Sequence, residues 1–290
     1  MADAGMSDAE SMVTACSASP SRIALGIEYD GRNFCGWQTQ PSGCALQNHL
    51  ERALAEVHGA PVQTVTAGRT DAGVHAVAQI VHFDVQNYRP EHAWVFGTNS
   101  RLPSGMSVLW AKVMPVDFHA RFGALQRTYR YILLNQAVRP ALLAGRVGWI
   151  HGELDVDLMA QGANWLLGEQ DFSAFRAAEC QARTPVRDMR AVEVWRHGAC
   201  VQFEFRANAF LHHQVRNMVG ALVWVGLRRR PPEWIGEVLQ TLDRTRAAAT
   251  FAADGLYLAD VRYDARFDVP VRADLGPLAF FPSKPDIQSK

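Results

Sequence analysis

The sequence predicts an α+β protein of two βαββαβ-like halves that form a mixed, largely antiparallel sheet, with helices on one side and a basic cleft between the halves. Two observations predict the halves and a third the cleft. Apolar residues switch between a period of two and a period near 3.6 in the same order twice, turn residues separate the segments, and arginines concentrate mid-chain. No sequence repeat accompanies this repeat of topology.

The first half is expected over residues 21–117. Ile23, Leu25, Ile27 and Tyr29 alternate as a strand, and after Pro41, Ser42 and Gly43 the residues Leu46, Leu50, Leu54 and Val57 recur at helical spacing. Val62 to Ala67 and Val77 to Val85 are the next two strands, His92 to Gly97 a short helix, and Val108 to Met114 the closing strand. The joint falls near Pro115 to Gln126.

The second half, over 118–264, repeats the order. Thr128 to Leu134 alternates as a strand, Val156 to Leu167 is helical, and Asp188 to Trp195 with Val201 to Arg206 form a hairpin about His197, Gly198 and Ala199. Leu211 to Leu227 is helical, Pro231 and Pro232 begin a shorter helix, and Leu256 to Val261 is the last strand. Residues 1–20 and 265–290 are expected to be tails, the second lying over the surface. The first lacks a basic start and a continuous apolar stretch and contains Asp3, Asp8 and Glu10, which argues against a signal peptide.

The 290 residues are enough to bury a full core without staples. Cys16, Cys35, Cys44, Cys180 and Cys200 are odd in number and have no C-x-x-C spacing, so neither a disulfide framework nor a zinc ribbon is expected, and the compartment is expected to be reducing. No run of about 18 apolar residues is present, which excludes a helical membrane span. The net charge of zero conceals a pattern: 118–152 and 205–232 each hold five arginines and no acid. Such a local field suits a polyanion, although a solvated basic face explains it equally.

Three stretches could carry chemistry. Thr66 to Ala76 places Arg69, Thr70 and Asp71 between Gly68 and Gly73, where a carboxylate can meet a ligand and Arg69 can keep it ionised; an ordinary Asx-turn is the alternative. In Arg127 to Asn135, alternation puts Arg127, Tyr129 and Tyr131 on one face and Thr128, Arg130 and Ile132 on the other. Aromatic rings beside arginines suit unstacked RNA bases, and a plain core strand is the other reading. In Asn208 to Gly220, helical spacing turns Leu211, Val215, Met218 and Val219 inward and gives His212 and Arg216 a shared face. Neighbouring helical residues diverge by about 100°, so His212 and His213 are not expected to share a metal ion. No P-loop and no G-x-G-x-x-G is present.

Taken together these motifs resemble the tRNA pseudouridine synthase A family. The matching pieces are IALGIEYDGRNFCGWQ (Ile23 to Gln38), AGRTDAGVHA (Ala67 to Ala76), FHARF (Phe118 to Phe122), RTYRYIL (Arg127 to Leu133), DFSAFRA (Asp171 to Ala177), ANAFLHHQVRNMVG (Ala207 to Gly220) and GLYLADVRY (Gly255 to Tyr263). The resemblance implies a cytoplasmic homodimer that isomerises uridine to pseudouridine at positions 38, 39 and 40 of the tRNA anticodon arm, with no metal and no organic cofactor. It implies that Asp71 is the nucleophile, that Tyr129 stacks on the target base, and that Arg69 and Arg216 hold Asp71 or nearby phosphates. Phe118, His119, Ala120, Arg121 and Phe122, and Glu179, Cys180, Gln181, Ala182 and Arg183, match segments that touch tRNA. His212 stands where Arg or Tyr is expected. Two other classes remain: a non-catalytic RNA-binding module built on the same platform, which leaves AGRTDAGVHA without a purpose, and a metal-assisted hydrolase using Asp71, His212 and His213.

Overall fold

The computed structural model describes residues 21–86 and 89–272; the expected tail at 1–20 and the 273–290 part of the second lie outside them. In the first half β1 (Ser21–Tyr29), α1 (Leu46–His58), β2 (Val65–Thr66), β3 (His75–Val85), α2 (Glu91–Asn99) and β4 (Met106–Met114) follow the expected order. The strand expected over 62–67 shrinks to two residues. The second half runs β5 (Gln126–Asn135), β6 (Gly148–Ile150), α3 (Val156–Asn164), β7 (Gly168–Asp171), β8 (Val186–His197), β9 (Cys200–Ala207), α4 (Gln214–Gly226), α5 (Trp234–Thr241) and β10 (Leu256–Arg262). Strands β6 and β7 are additions that three or four residues of sequence did not signal.

The strands make one sheet in the order β4-β1-β3-β10-β5-β9-β8-β7, with β2 on β3 and β6 on β5. Its pattern repeats: β4-β1-β3 with β2 in one half, and β10-β5-β9-β8 in the other. The halves join where β10 pairs parallel with β3, through Tyr257 with His75 and Leu258 with Ala76. The other principal pairs, β1 with β3 and β4, β5 with β9 and β10, and β8 with β7 and β9, are antiparallel. The joint thus sits directly after the Asp71 loop.

Period-two alternation places the core. Tyr131, Leu133, Leu256 and Leu258 join the large cluster that receives the helices through Leu46, Leu50, Leu54, Trp94, Met159, Met218, Leu222 and Ile235. Ile132, Leu134, Tyr257 and Ala259 point the other way, into a small cluster with Val77 and Val147. All the apolar helix faces are therefore served by one side of the sheet.

His75 anchors the joint. Its ring stacks on Tyr257 with centroids 4.6 Å apart, Nδ1 accepts the Gly31 N–H at 3.1 Å, and Nε2 faces the Gly145 and Asp254 carbonyls at 3.1 Å each. Accepting at Nδ1 puts the ring hydrogen on Nε2, where both carbonyls can receive it.

One expectation needs correction. Cys35 and Cys44 are disulfide-bonded, with Cα atoms 5.5 Å apart, because a turn brings together residues the sequence separates by nine. The chain beyond β10 is tied down as far as it is described: Phe267 packs edge-on against Phe118, and Lys112 bonds the backbone and carboxylate of Asp268.

A pH dependence follows from His82. It is buried, and its Nδ1 accepts the Ala120 N–H at 3.1 Å. Burial, then the Arg22 and His119 charges, pushes its pKa down to about 4 from 6.5. Below 6.5 the unfolded chain takes up a proton that the native chain refuses, so stability falls as pH drops from about 6.5 to about 4 and loses nothing further through this group beyond. His82→Gln keeps an acceptor and is expected to flatten that loss. Urea unfolding at pH 7 and pH 5 checks it, and equal losses in both proteins would clear His82 of responsibility.

Candidate active site

The loop between β2 and β3 carries Asp71 and is held from several directions. Tyr29 Oη bonds Thr70 Oγ1 at 2.8 Å, the Gln79 amide donates to the Gly68 carbonyl at 2.7 Å, and the Trp37 N–H donates to the Thr70 carbonyl at 2.9 Å. Gly73 has φ +78°, in the left-handed region that side chains avoid. Gly36 has φ +87°, and a Cβ there would lie 3.0 Å from the Thr70 carbonyl oxygen, so the disulfide-closed 35–44 loop can press against the Asp71 turn only as glycine.

Arg127 supports the same loop from β5. It is buried and donates to the carbonyls of Ala67, Arg121, Ala124 and Asn208 at 2.6 to 3.0 Å. Arg130 on the opposite face pairs with Glu204 at 2.6 Å. Both arginines of the expected base platform are therefore committed to the fold. Tyr131 is also buried, its hydroxyl donating to the Ala252 carbonyl.

Asp71 and Tyr129 line a cavity of ≈ 1000 Å³ framed by both halves. Tyr129 packs edge-on against Phe210, with centroids 5.0 Å apart. Burial, then the proximity of Tyr29 and Asp71, holds its phenol proton well above the ordinary value. It therefore stays neutral and offers an aromatic edge and a hydroxyl to the cavity.

The segment leading into α4 brings the cations. Its turn is fixed by the Gln214 side chain, which accepts the Leu211 N–H at 2.7 Å, and by the Ala177 N–H, which donates to the His212 carbonyl. His213 adopts φ +61°, so the helix expected from Leu211 begins at Gln214. This corrects the argument from helical divergence. The His212 and His213 rings lie side by side, tilted by 38° with centroids 4.0 Å apart, and both Nε2 atoms reach Asp71, at 3.3 Å from Oδ1 and 3.4 Å from Oδ2 respectively. From the first turn of α4, Arg216 donates to Asp71 Oδ2 at 3.0 Å while its Nε–H bonds the Phe251 carbonyl at 2.9 Å.

Burial opposes the Asp71 charge, yet the His212 hydrogen bond, the charge of His213 and the Arg216 bond outweigh it and hold the carboxyl below the usual range. The hydrogen bond to Asp71 raises His212, whereas burial lowers His213. His213 is thus the neutral ring at pH 7, and the assistance there comes from Arg216 and His212. The positive end of α4 adds to it.

Arg69 does not perform the expected pairing. Among the described residues Asp71 is ion-paired with His212, His213 and Arg216, while Arg69 is exposed. Burial, then the charge of Arg121, lowers its affinity for its proton. Arg69 and Arg121 both line the cavity and bring positive charge to it.

The other expected contact residues divide by burial. Phe118 and Ala120 are fully buried, packed under Tyr263, Phe267 and His82, so they brace their segment and cannot touch a ligand directly. Arg121 and Phe122 are exposed and His119 is half-buried. Glu179, Cys180, Gln181 and Ala182 line the cavity; Arg183 is exposed beyond that lining. Arg187, which sequence reasoning passed over, lines it with Nε buried and unpartnered.

Comparison with known proteins identifies the family. A family model described as tRNA pseudouridine synthase matches residues 26–123 and 163–264. The tRNA pseudouridine synthase A of Thiobacillus denitrificans is 54% identical over 258 residues, covering 89% of this chain and 99% of that one. That of Paraburkholderia xenovorans is 56% identical over 249 residues, covering 86% and 92%. Among solved structures, a Cbf5-Nop10-Gar1 complex aligns with 81% of this chain and 48% of its own at 13% identity and a TM-score of 0.35, too loose a likeness to carry an argument.

Proposed function

Because the chain belongs to the tRNA pseudouridine synthase A family and so isomerises uridine to pseudouridine in tRNA, we propose that it acts at positions 38 to 40 of the anticodon arm with Asp71 as nucleophile. The observation that carries the reading is a carboxylate kept ionised by Arg216 and His212 in a cavity that it shares with Tyr129.

The reaction breaks the N1–C1′ bond, makes a C5–C1′ bond, releases the proton on C5 and returns one to N1. No electrons are exchanged. One ionised carboxylate forms the covalent bond to the uridine while the base turns, and the site must hold that base still. Extracting the base from the stacked arm costs a few kcal/mol, which contact with Tyr129 offsets. Arg216 aligns Asp71, while Arg69 and Arg121 take phosphates flanking the flipped nucleotide. Arg183 and the exposed part of the 179–182 segment extend the track. The proposal includes a cytoplasmic homodimer, which sedimentation of the full chain tests.

Mapping pseudouridine nucleotide by nucleotide in an unmodified tRNA transcript tests the reading. Product confined to positions 38 to 40 supports it; product elsewhere overturns the assigned site, and no product favours a non-catalytic RNA-binding module. Turnover is expected to be unchanged by EDTA, and loss with EDTA that zinc restores would overturn the cofactor-free chemistry.

Affinity for tRNA is expected to fall linearly in log–log plots against salt, with a slope of roughly −3 if about four phosphates are neutralised. Arg121→Ala should reduce that slope by about 1 and weaken all substrate tRNAs alike. A salt-independent affinity would contradict the phosphate assignments.

A further inference from the structure

We propose that Asp71, His212 and His213 form a binding site for one divalent transition-metal ion, zinc fitting best, and that the bound ion shuts the enzyme off. The three side chains offer one ligand atom each, all within 4.8 Å of one another. In a tetrahedral zinc site with bonds of about 2.1 Å, ligand atoms lie about 3.4 Å apart. His212 Nε2 lies 3.3 Å from Asp71 Oδ1 and His213 Nε2 3.4 Å from Oδ2, so each ring faces its own oxygen and the carboxylate must turn to offer both the same one.

Adjacent histidines rarely converge, and the positive φ of His213 is what makes these do so. The three groups already face one another, so an ion has only to draw their ligand atoms closer together. Two imidazoles and a carboxylate suit zinc, cobalt, nickel or copper, and disfavour magnesium, which prefers oxygen and water. His212 is 41% exposed, so the fourth position opens to the cavity.

Arg216, whose guanidinium lies 3.0 Å from Asp71 Oδ2, would repel the ion, but its second bond, to the Phe251 carbonyl, holds it without Asp71. The repulsion weakens the site and keeps occupancy reversible. An ion there takes the lone pairs that Asp71 needs for attack and fills the space of the target base, so it competes with tRNA. Metal binding stands on geometry alone; inhibition rests on Asp71 being the nucleophile.

The test is a titration of cobalt(II) into metal-stripped full chain, without tRNA and without reductant so that Cys35 and Cys44 stay closed. One equivalent is expected to give the intense visible bands of a four-coordinate ion without a thiolate charge-transfer band. Zinc should displace it, and excess magnesium should not. His212→Gln and His213→Asn, the latter suited to positive φ, should each weaken binding by at least about 10-fold while leaving the circular dichroism spectrum intact. Absence of the bands, a thiolate band, or equal binding by both variants overturns the site. In parallel, single-turnover pseudouridine formation should fall as zinc fills the site. Full occupancy with an unchanged rate would leave the site standing and overturn the role given to Asp71.

Discussion

Arg127→Met is expected to lower the unfolding free energy by about 3 kcal/mol or more. Methionine replaces the stem but none of the donors, so the carbonyls of Ala67, Arg121, Ala124 and Asn208 lose their partner together. Each buried orphan costs about 1 to 3 kcal/mol, reduced where cavity water can reach it. The damage spreads to function because Ala67 borders the Asp71 loop and Arg121 borders the phosphate track. Denaturant titration measures it. A loss below about 1 kcal/mol with weakened tRNA binding would return Arg127 to the base-platform role that its position beside Tyr129 invites.

The sequence made the two βαββαβ units legible because their strands and helices carry clean periods of two and 3.6, and turn residues separate them. Gly68 and Gly73 drew attention to Asp71, and Gly73 does adopt positive φ, but the loop alone left an Asx-turn open and the nucleophile role came from the family resemblance. What escaped depends on contacts between distant segments. His212 and His213 look like ordinary helical positions until His213 takes a positive φ and Gln214 caps Leu211, a glutamine signal that was present in the sequence. Arg69 was matched to Asp71 by closeness in the chain, whereas of the two arginines that the resemblance implied it is Arg216, 145 residues away, that bonds the carboxylate. Arg127 and Arg130 alternate with tyrosines as an RNA platform would, and only the facing carbonyls and Glu204 reveal them as structural. Phe118 and Ala120 share a motif with Arg121, but their burial makes them its support.

Asp71→Asn is expected to abolish turnover, by at least roughly 10⁴-fold, while the fold and tRNA binding persist. Asparagine preserves the shape and its one carbonyl oxygen can still accept from Arg216, while the loop keeps its ties through Thr70, Gly68 and Val74. The phosphate contacts come from other residues, so affinity should change little. What disappears is the ionised oxygen.

The most direct measurement is pseudouridine formation by Asp71→Asn under single-turnover conditions, with excess enzyme over hours, after mass spectrometry has excluded deamidation back to aspartate. The account predicts tRNA bound and no pseudouridine formed. Appreciable product from the asparagine protein would mean that Asp71 merely shapes its turn and that the nucleophile lies elsewhere.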